Sequence, residues 1–241
     1  MCARLDSYQK SNDILCTNQF GFRKKLTYFL DYVYSSLDSK LSTIALYIDF
    51  SKAFDTVNHN ILMSKLMHNG VRGVVQHWFE SYLSNIKQYV SIKNCSSFIS
   101  NIALSVPQGS VLGPVLFILY INDMYRSSNQ MRFVHFGDDT TVFAFHSDIN
   151  NVHASVNREL VGVNNWLKDN RLSLNVSKPL YIIISNQNYT IDIRIRDSIL
   201  TKVLTVKFLF VTLDENLTFN DHVKHVTIKV SKSVGVMRLH C

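Results

Sequence analysis

Two runs of aromatic and β-branched residues, Arg132–Phe136 (RFVHF) and Thr140–Phe145 (TTVFAF), are separated only by Gly137, Asp138 and Asp139. That spacing leaves the backbone few choices. Two such runs around so short a polar centre predict a β-hairpin with two carboxylates at its tip. A third run, Thr43–Phe50 (TIALYIDF), is short, apolar and rich in β-formers, which predicts a buried strand ending at Asp49. If the hairpin pairs beside that strand, three carboxylates gather at one end of one sheet.

The remaining segments read as a mixture of helices and strands. Asn58–Asn69 and Val71–Ser84 read as helices parted near Gly70 and Gly73, and Gln88–Ile92 with Phe98–Leu104 as a strand pair. Pro107 and Pro114 bracket the loop PQGSVLGP, and the apolar run VLFILYI follows at once. Proline suits the first turn of a helix, where its missing N–H costs little. The segment therefore predicts a rigid loop feeding a buried helix from about Pro114 to Met124. In Asn150–Asn170, residues Val152, Val156, Leu160, Val163 and Leu167 recur at helical spacing. Leu180–Ser185 reads as a strand. Val223, Val226, Val230, Val234 and Met237 mark a last amphipathic helix, from about Asn220 to His240, carrying Lys224, Lys229, Lys232 and Arg238. No repeat and no linker interrupts this order. It predicts one continuous α+β unit, a sheet with helices on one side.

Composition removes whole classes. With 46% hydrophobic residues in 241, the chain is no disordered polyampholyte, and 8 Gly with 3 Pro exclude collagen-like and low-complexity proteins. The longest uncharged apolar run, Ser110–Asn122, is too short for a membrane span, and no secretory signal is visible at the start. Cys2, Cys16, Cys95 and Cys241 have no C-x-x-C spacing, so neither a zinc site nor a disulfide framework is expected. Free thiols fit an intracellular protein, with cytoplasm and nucleus undistinguished. The net charge of +7 is uneven: residues 101–150 carry −2 and residues 151–241 carry +5. A basic chain with an acidic middle suits a polyanionic partner around a metal-binding centre, or simply a mildly basic protein.

Taken alone, Asp138–Asp139 also fits ordinary turn chemistry, and Asp49 a strand-end cap. Clustered, the three carboxylates repel one another and call for cations. Oxygen-only ligands favour Mg²⁺ or Mn²⁺ over zinc. Two such ions can clamp the attacking and leaving oxygens of an in-line phosphoryl transfer. At this point the sequence resembles the reverse transcriptases of non-LTR retrotransposons of the jockey-like and LINE-like kind. The matching segments stand in the family's order: NQFGFRKK (18–25), YIDFSKAFDTVNHNIL (47–62), VPQGSVLGPVLFILYINDM (106–124), FGDDTTVF (136–143), LSLNVSK (172–178) and FLFVTLDENLTF (208–219).

The resemblance implies a right-hand polymerase: a palm with a ferredoxin-like sheet and helices on one face, partial fingers and the start of a thumb. It assigns residues 1–42 to partial fingers, 43–205 to the palm with finger insertions, and 206–241 to a primer-holding hairpin and the start of the thumb. It implies RNA-directed DNA synthesis from dNTPs on a primer 3′-hydroxyl, with RNA template, DNA primer and no membrane as partners. Asp49, Asp138 and Asp139 then bind Mg²⁺ or Mn²⁺. Phe54 stands where the family uses a steric gate against a 2′-hydroxyl. Gln108 and Gly109 fall in the loop that meets template and incoming nucleotide, and Lys178 and Arg23 near the nucleotide. Lys224, Lys229 and Lys232 would track phosphates.

Several positions depart from the family pattern. Gly137 replaces the usual Ala before the paired aspartates, in what reads as a strand that Gly would weaken. Phe210 replaces a small residue in FLFV, Ser105 stands where Gly is frequent, and Pro179 follows Lys178 where Thr is common. Measured against the family, the upstream fingers segment and the rest of the thumb lack counterparts, so the resemblance implies a truncated chain. A catalytically inactive nucleic-acid-binding remnant is therefore the second reading. An RNA-directed RNA polymerase is the third, suggested by GDD and opposed by Phe54 and the YIND stretch.

Overall fold

The computed structural model describes residues 2–16, 27–84, 86–93, 95–101, 104–107, 109–175, 180–187, 189–196 and 198–238. Its centre is a sheet of β1 (Ser42–Ile48), β2 (Arg132–Phe136), β3 (Asp139–His146), β4 (Leu180–Ile184) and β5 (Thr201–Lys202), in the spatial order β5-β4-β1-β3-β2. β1 lies between β3 and β4, antiparallel to both. Its burial on both sides explains the near-continuous apolar run read from Thr43 onward.

Alternation along the strands sorts the core into two layers. Ile44, Leu46 and Ile48 point with Phe133, Val142 and Ala144 to one face. There they meet helices α3 (His59–His68), α5 (Leu112–Ile121) and α6 (Ile149–Asp169). α5 is buried almost all round, as its uniformly apolar sequence requires. The expected α6 stripe, Val152, Val156, Leu160, Val163 and Leu167, is buried, and Asp148 caps the helix by accepting from Asn150 N–H at 3.0 Å.

The opposite face corrects the expectation of helices on one side only. Ala45, Phe143 and Ile182 are fully buried there, beneath α2 (Thr27–Asp38) and a hairpin of Thr205–Phe208 and Val211–Asp214. Phe29 of α2 sets its ring 5.1 Å from Phe143 and 4.8 Å from Phe208. A sheet apolar on both faces must be covered on both. Helices α1 (Cys2–Ser11) and α4 (Val74–Leu83) flank the first layer through Leu5, Phe79 and Leu83, and α7 (Asn220–Arg238) extends from the hairpin.

Two further expectations shift. The strand pair expected at 88–104 is two minimal ladders, Lys87–Gln88 with Ser100–Asn101 and Ser91–Ile92 with Cys95–Ser96. Ile92, Phe98 and Ile99 are exposed, so no core templates a longer register. The helix expected from Pro114 begins at Leu112 and ends at Ile121, before a separate 3₁₀ turn at Met124–Ser127. Ser110 fixes its start: the hydroxyl donates to Pro107 O at 2.7 Å and accepts from Gly113 N–H at 2.9 Å.

Candidate active site

β1 ends at Ile48, which pairs with Thr140, so Asp49 emerges beside Asp139 at the same end of the sheet. Asp139 itself pairs with Phe136, and Gly137–Asp138 form a two-residue turn between them. Gly137 has φ +65°, and a Cβ there would meet nothing within 4 Å. This corrects the reading of Gly137 as a weak point in a strand. The residue lies in the turn, in a conformation that glycine adopts without strain.

Asp139 feels the other two carboxylates. Burial first, then the negative charges of Asp138 and Asp49, push the Asp139 carboxyl above the ordinary carboxylate range. A site that resists ionisation in this way is one that a cation would relieve. The donors are all oxygen, the set that hard divalent ions take. Among the described residues, no three His, Cys, Asp or Glu side chains are drawn together tightly enough to hold a metal ion as they stand.

Asp49 and Asp139 line a cleft of about 350 Å³ with Tyr47, Thr141 and residues Val206–Leu209. The hairpin of 205–214 thus forms one wall of the cleft that holds two of the carboxylates. The Tyr47 hydroxyl is buried and has no hydrogen-bond partner among the described residues, and burial raises its pKa far above the phenolic range.

Sequence reasoning missed one close partner. Asn175 donates from Nδ2 to Asp49 Oδ2 at 3.0 Å and from its backbone N–H to Asp49 O at 2.9 Å. The signal lay in the LSLNVSK segment, but the two residues are 126 apart in sequence.

The other expected residues are scattered around this centre. Phe54 sits in the 3₁₀ turn Ala53–Thr56, half-buried, with its ring 5.0 Å from Phe117 of α5. Gly109 is exposed in the loop before α5, at φ +78°. Lys224, Lys229 and Lys232 are exposed on α7, which contacts the 211–214 strand. Lys224 stands 3.7 Å from Asp221. Arg23, Gln108 and Lys178 lie outside the described residues. No described helix is long and apolar enough to cross a membrane.

Comparison with known proteins bears on the family and the fold. Residues 2–213 match the family described as reverse transcriptase (RNA-dependent DNA polymerase). The probable RNA-directed DNA polymerase from transposon BS of Drosophila melanogaster is 28% identical, over 98% of this chain and 28% of its own length. The RNA-directed DNA polymerase from mobile element jockey of the same organism is 25% identical, over 86% of this chain and 24% of its own. The chain therefore spans about a quarter of the length of these relatives. Among solved structures, telomerase from Candida tropicalis in complex with a TWJ fragment of telomeric RNA aligns with a TM-score of 0.59 at 11% identity, over 90% of this chain and 35% of that one. Telomerase from Candida albicans in complex with the same kind of fragment aligns at 0.55 and 15% identity, over 90% and 37%. These likenesses show a shared right-hand polymerase fold, and enzymes of the matched family generally use divalent metal ions. The chain belongs to the reverse transcriptase family.

Proposed function

We propose that this chain performs RNA-directed DNA synthesis, joining dNTPs to the 3′-hydroxyl of a DNA primer on an RNA template. The observation that carries the reading is the shared cleft: Asp49 and Asp139 open onto the space walled by the 205–208 strand. Acid groups and a candidate primer-holding hairpin then meet where a primer end would react. Asp49, Asp138 and Asp139 would hold Mg²⁺, or Mn²⁺ in its place. The bound ions would activate the primer hydroxyl and neutralise charge on the pyrophosphate leaving group.

The chain's own residues supply positioning. The half-buried Phe54 ring, with the Phe117 ring 5.0 Å behind it, would exclude a 2′-hydroxyl beneath the sugar. Gln108 and Gly109 would meet template and nucleotide. Lys178 would place a cation, or a proton, at the triphosphate, with Arg23 nearby. Lys224, Lys229 and Lys232 on α7 would follow the phosphates of the duplex. In domain terms, 43–205 is the palm with finger insertions, 1–42 belongs to the fingers, and 206–241 is the primer hairpin with the start of the thumb.

Primer extension on an RNA template with dNTPs and Mg²⁺ tests the reading. Asp138→Asn should abolish extension while leaving the fold intact by circular dichroism; extension at the wild-type rate by that variant sinks it. One observation favours a second reading, a nucleic-acid-binding chain without turnover: Leu209 and Phe210 both occupy left-handed backbone in the proposed primer hairpin. That reading requires salt-sensitive RNA binding and no extension by the wild-type protein.

A further inference from the structure

We infer that Asn175 is a positioning residue for Asp49, holding one carboxylate oxygen so that the other is presented to a divalent cation. The inference rests on Asp49 being a metal ligand. Its structural basis is a short ladder continuing beyond the end of β1. Ser51 N–H donates to Ser173 O at 2.8 Å, Phe50 bridges Leu174, and Asn175 N–H donates to Asp49 O at 2.9 Å. Leu172 and Leu174 are buried beside it and anchor the segment. These main-chain bonds place Asn175 opposite Asp49 whatever its side chain. The side chain then adds a specific contact, Nδ2 to Oδ2 at 3.0 Å.

The residue type suits the task. A free carboxylate rotates about its χ angles and offers about four acceptor positions. An amide donor occupies one of them and fixes the plane of the group. It does so without neutralising it, so the full negative charge stays available to a cation. Lys or Arg at the same place would orient the carboxylate equally well but would compete electrostatically with the metal. Hydrogen-bonded partners of metal-ligating carboxylates typically set metal affinity by 10–100-fold.

The test compares wild type, Asn175→Ala, Asn175→Leu and Asp49→Asn. Asn175→Leu keeps the branched heavy-atom shape and lacks the donor, which guards against a cavity defect in the alanine variant. Mn²⁺ binding is measured by electron paramagnetic resonance without nucleic acid or nucleotide, and the Mg²⁺ midpoint of primer extension alongside it. Both Asn175 variants should weaken Mn²⁺ binding about tenfold or more and raise the Mg²⁺ midpoint to match. Saturating Mg²⁺ should restore most of the extension rate. Unchanged Mn²⁺ affinity in both variants, with Asp49→Asn deficient, overturns the role of Asn175 alone. Undiminished Mn²⁺ binding by Asp49→Asn overturns the metal reading of Asp49 and this inference with it.

Discussion

Two hairpins with two-residue turns border the carboxylate cleft, and they reach their shapes by opposite routes. In the first, Phe136 pairs with Asp139 across Gly137 and Asp138. Only Gly137 has positive φ, the pattern of a type II′ turn with glycine first. In the second, Phe208 pairs with Val211 across Leu209 and Phe210, at φ +45° and +76°. Both central residues lie in the left-handed region, as a type I′ turn demands, yet neither is the Gly, Asn or Asp that such a turn prefers. The first hairpin agrees with its local preferences. The second is held against them by packing, with Val206, Phe208, Leu213 and Leu217 buried on the sheet face. The carboxylate-bearing turn thus rests on its own sequence, while the cleft's opposite wall depends on tertiary contacts.

The strongest way to break the first hairpin's chemistry without touching its turn is Asp139→Asn. Extension should fall by three orders of magnitude or more, about 4 kcal/mol of lost transition-state stabilisation. Stability should move the other way. The folded state raises the Asp139 pKa through burial and the charges of Asp138 and Asp49. The stability this group contributes is therefore present below the ordinary carboxylate pKa and is lost as pH rises through the raised value. Metal-free Asp139→Asn should escape that loss, and its melting temperature at neutral pH should equal or exceed that of wild type. A lower one would mean the carboxylate supports the fold.

The base of the same hairpin offers a second test. His135 pairs with Thr140 in register, and its Nδ1 lies 3.0 Å from the Thr140 hydroxyl. The ring is fully buried, which lowers its pKa from 6.5 to about 4. The unfolded chain takes up a proton near 6.5 that the folded one refuses until about 4. Stability is therefore complete above pH 6.5 and falls progressively toward pH 4 by roughly 3 kcal/mol from this group. In denaturant melts of wild type and His135→Phe across that window, the stability difference should shift in favour of the variant by up to roughly 3 kcal/mol as pH falls. A constant gap between them would show that His135 does not titrate on unfolding.

Where sequence and structure agree, the signals were local. Alternation and the short GDD gap located the hairpin, and β1 stood out because both its faces are buried. Ser105 and Phe210, noted as departures where the family favours small residues, prove to sit at φ +106° and +76°, conformations that suit glycine. Gly137, noted as a departure in the other direction, turns out to relieve strain at its turn. What escaped was non-local. Asn175 reaches Asp49 only through the fold, and nothing in residues 27–38 announces that α2 covers the face opposite α5. That cover is set by Phe29 meeting Phe143 and Phe208.

The two turns themselves can be exchanged in character. Gly137→Ala puts a Cβ on left-handed backbone, with no contact inside 4 Å to compensate. It should destabilise by about 1–2 kcal/mol in denaturant melts. An unchanged midpoint would mean that the turn adopts another geometry.

Phe210→Gly is the converse and should give the smallest effect of the set. Its ring is 78% exposed, so little burial is lost. Its contact with the Lys207 ammonium, 5.9 Å from its centroid, is at the surface and weak. Removing the Cβ relieves roughly 1–2 kcal/mol of left-handed strain, and the greater freedom of glycine in the unfolded chain returns part of it. A net gain of about 0.5–1 kcal/mol is expected, read as a higher denaturant midpoint with an unchanged slope. Because this turn borders the cleft through Leu209, the same variant should leave the Mg²⁺ midpoint of extension unmoved. Destabilisation by Phe210→Gly would show instead that the exposed ring contributes to holding the hairpin, and that its packing extends past the buried residues to the turn.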